Sequence, residues 1–279
     1  MKIGINLLLW TGCFTKKTVK LIEKGRKLGF DGVELPVFAP QAVDVKATRK
    51  ALADNGLRAT ACTIVVAGNM ISPSARDRRL ALDHLVRVLE VCKACGVECL
   101  AGPLFSPLGK FVGRGPNAAE WKRAVTGMRK PANRAESLDI HVGIEPLNRF
   151  ETYFINICDD AIRMCREVGS PKVGILYDTF HANIEEKKPA EALKKIGKKW
   201  LKQVHTCEND RGIPGTGHVP WDATMRALKQ MKYDRWVVIE SFVPAIKELA
   251  SAANIWRSLA KDGDDLARRG LRFLRRYIK

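Results

Sequence analysis

No stretch of the 279-residue chain approaches the roughly 18 uninterrupted apolar residues a membrane-crossing helix needs, because Lys, Arg, Asp or Glu breaks every run. The N-terminal MKIGINLLLW has one lysine and an apolar run of strand length, with no small-residue cleavage site behind it, so it does not read as a secretion signal. Both absences predict a soluble, cytoplasmic protein. Acidic residues are scarce as well: 30 Asp and Glu against 48 Lys and Arg leave a formal charge of +18. A surplus of that size can mark a nucleic-acid or anionic partner. Here the cations spread along helical faces such as Lys16 to Lys27 and Ala267 to Lys279, with no RNA-binding motif and no aromatics interleaved for base stacking. A solvated surface of ordinary helices is the simpler account, and no nucleic-acid partner is expected. Linkers and low-complexity tracts are missing too, so one domain over residues 1–279 is favoured, and a chain 46% hydrophobic can give it a large core.

Cysteine is not scarce. The eight residues sit largely where a packed interior takes small apolar groups, as Cys62 does in ATACTIVV, which suits a reducing compartment better than a disulfide framework. Cys92, Cys95 and Cys99 form C-x2-C-x3-C, a pattern that could hold zinc or an iron–sulfur cluster. No second Cys/His pair with zinc spacing accompanies it, and LVRVLEVCKACGVECLA reads as helix, glycine turn and strand, so buried thiols are expected instead.

What the chain does have is alternation. Short apolar runs predict eight strands at Lys2–Leu9, Gly32–Pro36, Arg58–Val65, Glu98–Ala101, His141–Glu145, Val173–Asp178, Lys202–His205 and Trp236–Glu240. Longer amphipathic stretches predict helices between them at Lys17–Leu28, Val45–Asn55, Ser74–Ala94, Ala118–Leu138, Asp159–Val168, Pro189–Lys198, Ala223–Met231 and Ala245 to about Tyr277, the last divided in two by a break at Gly263. Gly29, Gly56 and Gly96 fall just past three of these helices, where a left-handed residue ends a helix without strain. Repeated βα units of this number make a single-domain α/β (β/α)8 TIM barrel the economical topology.

Four of the strands end in a polar residue: Glu145 in HVGIE, Asp178 in VGILYD, His205 in LKQVH and Glu240 in WVVIE. Each alone could be a helix cap or a satisfied polar terminus. Strand ends of a parallel barrel converge at one mouth, however, where three carboxylates and one imidazole make an oxygen-rich site for a divalent metal, Mn2+ foremost, with Co2+ or Mg2+ as alternatives. Strands five and eight stand apart around such a mouth, so Glu145 and Glu240 could flank a substrate on two faces. That arrangement suits removal of a proton α to a carbonyl and its return from the other side.

With KLGFDGVEL, CLAGPLF, EPLNRFE, DTFHANIEE, H-x-x-E-x-x-R-x-x-PG-x-GH-x-PW and IWRSLA along essentially its whole length, the chain resembles the sugar isomerase/epimerase barrels, and within them the ketose 3-epimerases. The resemblance implies epimerisation of free ketoses at C3, with Glu145, Asp178, His205 and Glu240 on the metal and Glu145 and Glu240 as the acid/base pair. It further implies that Glu151, His181 and Arg211 bind substrate oxygens around C1 to C3, in a homodimer or homotetramer. Departures fall away from the reaction centre. The first strand reads NLLLW, with Asn6, Leu7 and Leu8 where an aromatic or two is common, Leu108 stands where a tryptophan is common, and Ser241 replaces the proline that often follows the last glutamate. Trp10, Phe105 and Leu108 are the expected distal wall of the sugar pocket. An aldose–ketose or hydroxypyruvate-type isomerase would use the same barrel. An apurinic-site endonuclease on this fold needs a histidine-rich three-metal cluster, whereas of five histidines only His84 precedes residue 140, and a non-catalytic binding protein has no need of both glutamates.

Overall fold

Local chemistry sets where the helices start and stop. Asp44, Ser74, Asn117 and Asp262 each turn a side-chain oxygen onto a free backbone N–H of the first helical turn, and Gly29, Gly96 and Gly169 end helices in the left-handed conformation. The computed structural model, which describes residues 1–278, places α1 at Leu21–Leu28, α2 at Val45–Asp54, α3 at Ala75–Cys95, α4 at Ala118–Ser137 and α5 at Cys158–Val168. Then follow α6 (Thr179–Glu185), α7 (Pro189–Trp200, kinked at Gly197), α8 (Trp221–Gln230), α9 (Lys247–Ala252) and α10 (Gly263–Leu274). Among the described residues no helix is long and apolar enough to cross a membrane.

The strands are β1 (Lys2–Asn6), β2 (Gly32–Pro36), β3 (Arg58–Cys62), β4 (Val97–Gly102), β5 (His141–Ile144), β6 (Val173–Asp178), β7 (Leu201–Thr206) and β8 (Trp236–Ile239). They pair in parallel in chain order, and β1 pairs with β8 to close the barrel. The fold is a (β/α)8 barrel. Its outer core joins apolar strand residues such as Ile5, Val33 and Val237 to the buried helix faces. At the lower end of the barrel Trp236 fills the interior, and Gly32 makes room for it, since a Cβ there would come within 2.8 Å of the indole ring.

β3 ends at Cys62 rather than at Val65, and three further details differ from the sequence pattern. β1 stops at Asn6, and Leu7–Leu9 form a 3-10 turn, because the Asn6 side chain accepts from Leu8 N and caps that turn. An additional helix, α6, begins at Thr179 directly after β6, its free N–H groups taken up by Asp178. The chain after β8 is divided as expected, but Gly263 opens α10 rather than lying between helices, with Asp262 as the cap. The C-x2-C-x3-C cysteines are divided between environments: Cys92 and Cys95 lie on the buried face of α3, whereas Cys99 packs with Ala101 and Leu176. All eight cysteines are free. Burial pushes the thiols of Cys95 and Cys99 up to about 11 and about 12.

Candidate functional site

Alternate residues of the strands face the barrel interior, so the last inward position of each strand comes to the mouth. Glu145 and Glu240 lie one residue beyond β5 and β8. Their main chains still pair with the neighbouring strands, through Glu145 N to Gly102 O at 3.0 Å and Glu240 N to Thr206 O at 3.3 Å. Gly102 adopts φ +138° where its backbone passes close to Thr63, a place with no room for a Cβ. Asp178 Oδ1 accepts from Phe180 N at 2.6 Å, which leaves Oδ2 for the barrel axis. It is thus both a helix cap and a member of the mouth.

The structure brings Glu145, Asp178, His205 and Glu240 together: all four are buried, and one ligand atom from each lies within 4.8 Å of the others. His205 Nδ1 faces Glu240 Oε2 at 3.4 Å and Asp178 Oδ2 at 3.9 Å, and this buried nitrogen has no hydrogen-bond partner. Three carboxylates around an orphaned imidazole nitrogen fit a hard-to-borderline divalent cation. Arg211 Nη1 bridges Asp178 Oδ2 at 2.9 Å and Glu240 Oε2 at 3.0 Å, and its guanidinium stacks on Phe180, 4.1 Å from the ring centre. Arg211 is presented in the left-handed conformation (φ +66°) by the loop between β7 and α8. Glu208 organises that loop by accepting from Gly215 N, Val219 N and Trp221 Nε1, while Ser241 Oγ donates to the Arg211 carbonyl.

Electrostatics separate the two glutamates. Burial, and then the charge of Glu240, raise the Glu145 carboxyl well above its ordinary value. Burial acts on Glu240 in the same direction, but His205 and Arg211 outweigh it and lower its pKa to about 2. Burial and the nearby Arg211 hold His181 well below the usual imidazole value, and burial raises Glu151. His181 is fixed by Asn148 N, which donates to Nδ1 at 3.0 Å, and Asn148 Nδ2 also holds Glu151 at 2.9 Å.

Above this polar floor opens a cavity of ≈ 730 Å³, counting the part open to solvent. Glu145, Glu151, His181, Arg211 and Glu240 line its base, and Leu8, Phe38, Ile64, Leu108, Phe242 and Leu249 its walls. Leu108 is thus among the residues that line the cavity. Trp10 and Phe105 do not line the cavity. The turn at Leu7–Leu9 breaks the strand period and swings Trp10 toward α10, where its indole donates to Asp264 at 2.9 Å. Phe105 is fully buried behind the mouth, 5.6 Å from the Phe154 ring. Leu8 and Phe242 take up the wall instead.

Sequence reasoning missed Glu34, Asn6 and Gln203. Glu34 lies wholly buried in β2 and Asn6 ends β1; Asn6 Nδ2 donates to Glu34 Oε2 at 2.8 Å and to Glu240 Oε1 at 3.0 Å. A single carboxylate within GVELP, and a glutamine two residues before His205 on the same strand face, were the available signals.

The family profile of the xylose isomerase-like TIM barrel matches residues 22–277. The chain belongs to that family. It is 31% identical over 276 residues to a probable ketose 3-epimerase of Synechocystis, covering 99% of this chain and 96% of the relative. To a ketose 3-epimerase of Arthrobacter globiformis it is 33% identical over 279 residues, with 99% and 96% covered. Among solved structures, a D-allulose 3-epimerase from Methylomonas in complex with D-allulose superimposes with a TM-score of 0.93 at 29% identity, over 99% of this chain and 97% of that one. The resemblance to ketose 3-epimerases within this family thus extends over the full length of the chain.

Proposed function

We propose that this member of the family is a metal-dependent isomerase that epimerises free ketoses at C3. The observation that carries the reading is the pair of buried glutamates, Glu145 and Glu240, at the ends of β5 and β8, both opening into one cavity and sharing a ligand cluster with Asp178 and His205. Relatives named ketose 3-epimerases over the whole chain support it. A divalent cation held by Glu145, Asp178, His205 and Glu240, with Mn2+ favoured by the donor set and Co2+ or Mg2+ as alternatives, would polarise the C2 carbonyl and stabilise the substrate enediolate.

The chain's own residues then have distinct tasks. One glutamate takes the proton from C3 and the other returns one from the opposite face; because the reaction is reversible, each serves in both roles. Arg211 offers guanidinium N–H groups, His181 a neutral ring and Glu151 a carboxyl group to the oxygens around C1 to C3. Leu8, Ile64, Leu108 and Phe242 offer the far carbons apolar contact.

The test is proton NMR in D2O of Mn2+-loaded protein with D-fructose, D-allulose, D-tagatose, L-ribulose and D-xylulose. Deuterium entering at C3 together with the 3-epimer is the expected result. In the same assay Glu240→Gln should retain the fold and lose exchange by about 10²–10⁴-fold, the usual worth of a general acid–base group. Label at C1 or C2 with aldose appearing would move the assignment to an aldose–ketose isomerase, and near-normal exchange in Glu240→Gln would remove that residue from the acid/base role.

A further inference from the structure

Behind the mouth, Glu34 has no exposed surface, and both of its carboxylate oxygens are engaged. Oε2 accepts from Asn6 Nδ2 at 2.8 Å and faces His205 Nε2 at 2.7 Å; Oε1 accepts from Thr60 Oγ1 at 3.2 Å and from Gln203 Nε2. Among the described residues no Arg or Lys pairs with it, and the titratable side chain it meets is His205. A buried carboxylate without an Arg or Lys beside it is costly unless hydrogen bonds and charge compensate it. Here the compensation runs through one imidazole.

An imidazole has two nitrogens, and the partner of one decides what the other can do. An ionised carboxylate can only accept, so the 2.7 Å contact places the ring proton on Nε2, and the Gln203 amide nitrogen, 3.0 Å from the same ring atom, turns its hydrogen to Glu34 Oε1 instead. Nδ1 is then free to present a lone pair, and Nδ1 is the buried nitrogen without a hydrogen-bond partner that faces Asp178 and Glu240. The acceptor behind the ring and the orphaned atom in front of it are separate observations with one reading. We propose that Glu34 is a positioning residue of the metal centre: it fixes the Nε2–H tautomer and the ring orientation of His205, so that Nδ1 aims its lone pair at the Glu145, Asp178 and Glu240 cluster. Asn6 extends the control, since its amide bridges Glu34 Oε2 and Glu240 Oε1 and sets the second ligand against the same carboxylate. The proposal rests on reading that cluster as a metal site.

The experiment strips the full-length protein of metal and titrates it with Mn2+, reading the free ion by its EPR signal. Glu34→Gln should weaken Mn2+ binding by about 10–100-fold, the usual effect of removing such an outer partner. The exchanged pair Glu34→Gln/Gln203→Glu should recover most of the loss, because Gln203 Nε2 lies 3.0 Å from His205 Nε2 and a carboxylate there can take over as acceptor. Unchanged affinity in Glu34→Gln overturns the proposal, and so does a loss that the exchanged pair fails to recover. A second measurement needs no variant to fold: in the parent protein loaded with diamagnetic Zn2+ and 15N-labelled at histidine, long-range 1H–15N correlations should place the His205 proton on Nε2. A proton on Nδ1 overturns the assignment. Parent affinity that survives Asp178→Asn would instead remove the metal reading itself, and the positioning role with it, a result distinct from one confined to position 34.

Discussion

The two ends of the barrel both carry acidic groups among positive ones, yet they are balanced in opposite ways. At the lower end one carboxylate, Glu98, is 27% exposed, pairs with Lys2 at 3.4 Å and with Arg58, and accepts from Trp236 Nε1 at 3.1 Å. Lys2 also lies over the Trp236 ring, 4.8 Å from its centre. Positive charge is in excess there, and water is at hand for whatever remains. At the mouth and just behind it Glu34, Glu145, Asp178 and Glu240 are all buried, and among the described residues Arg211 is the cation they share, with the His205 imidazole set between them. A polar cluster that neutralises itself beside solvent needs nothing further. One that is buried and short of positive charge is built around a guest.

Chelation tests this contrast most strongly. Stripping divalent ions should abolish C3 exchange and lower the melting temperature, and restoring Mn2+ at about 100 times its Kd should return about 2.7 kcal/mol of stability, roughly 5 °C for a chain of this size. Full activity in the stripped protein, with an unchanged melting curve on adding Mn2+, would equate the two ends. A medium effect is expected from Glu98→Ala at the lower end. Losing partly exposed ion pairs and the indole hydrogen bond should cost about 1–2 kcal/mol in urea denaturation, while exchange at C3 stays at the parent level. Reduced turnover at unchanged stability would show that the lower end is not merely structural.

At neutral pH the smallest effect is that of a group whose contribution changes only in acid. His141 opens β5 near the same end, and burial, followed by Arg235 and Lys202, lowers its pKa to about 4. Because the folded value lies below that of the unfolded chain, about 6.5, the unfolded chain binds more protons between pH 6.5 and 4. Stability from this group is therefore present above that window and lost as the pH falls through it. Replacing it, as in His141→Gln, should flatten the fall of the urea midpoint across the window; a slope equal to the parent's would assign the acid sensitivity elsewhere.

Much of the barrel was legible because the βα period is long and regular, and because glycines and polar caps mark its boundaries. The four ligand candidates were legible for a related reason: each is a polar residue that ends an apolar strand. Glu34 followed no such rule. It sits inside its strand with Leu35 and Pro36 still to come, and only burial with four partners from β1, β3 and β7 shows what it does. Trp10 misled because strand periodicity was carried through NLLLW, whereas the Asn6 side chain converts the period to three at Leu7. Capping by a residue whose backbone still reads as strand leaves no trace in hydrophobic pattern.

Trp236, seated among the strands at the lower end, has one more consequence. With its ring pressed against Gly32 and only 3% exposed, the barrel is a cup with one opening. In the proposed reaction the incoming sugar and the outgoing one differ only in the configuration of a single carbon, and both must use the same doorway. Traffic in the two directions therefore queues for one seat. Either epimer therefore competes with the other for the same site, and adding the 3-epimer beforehand should lower the initial rate of conversion.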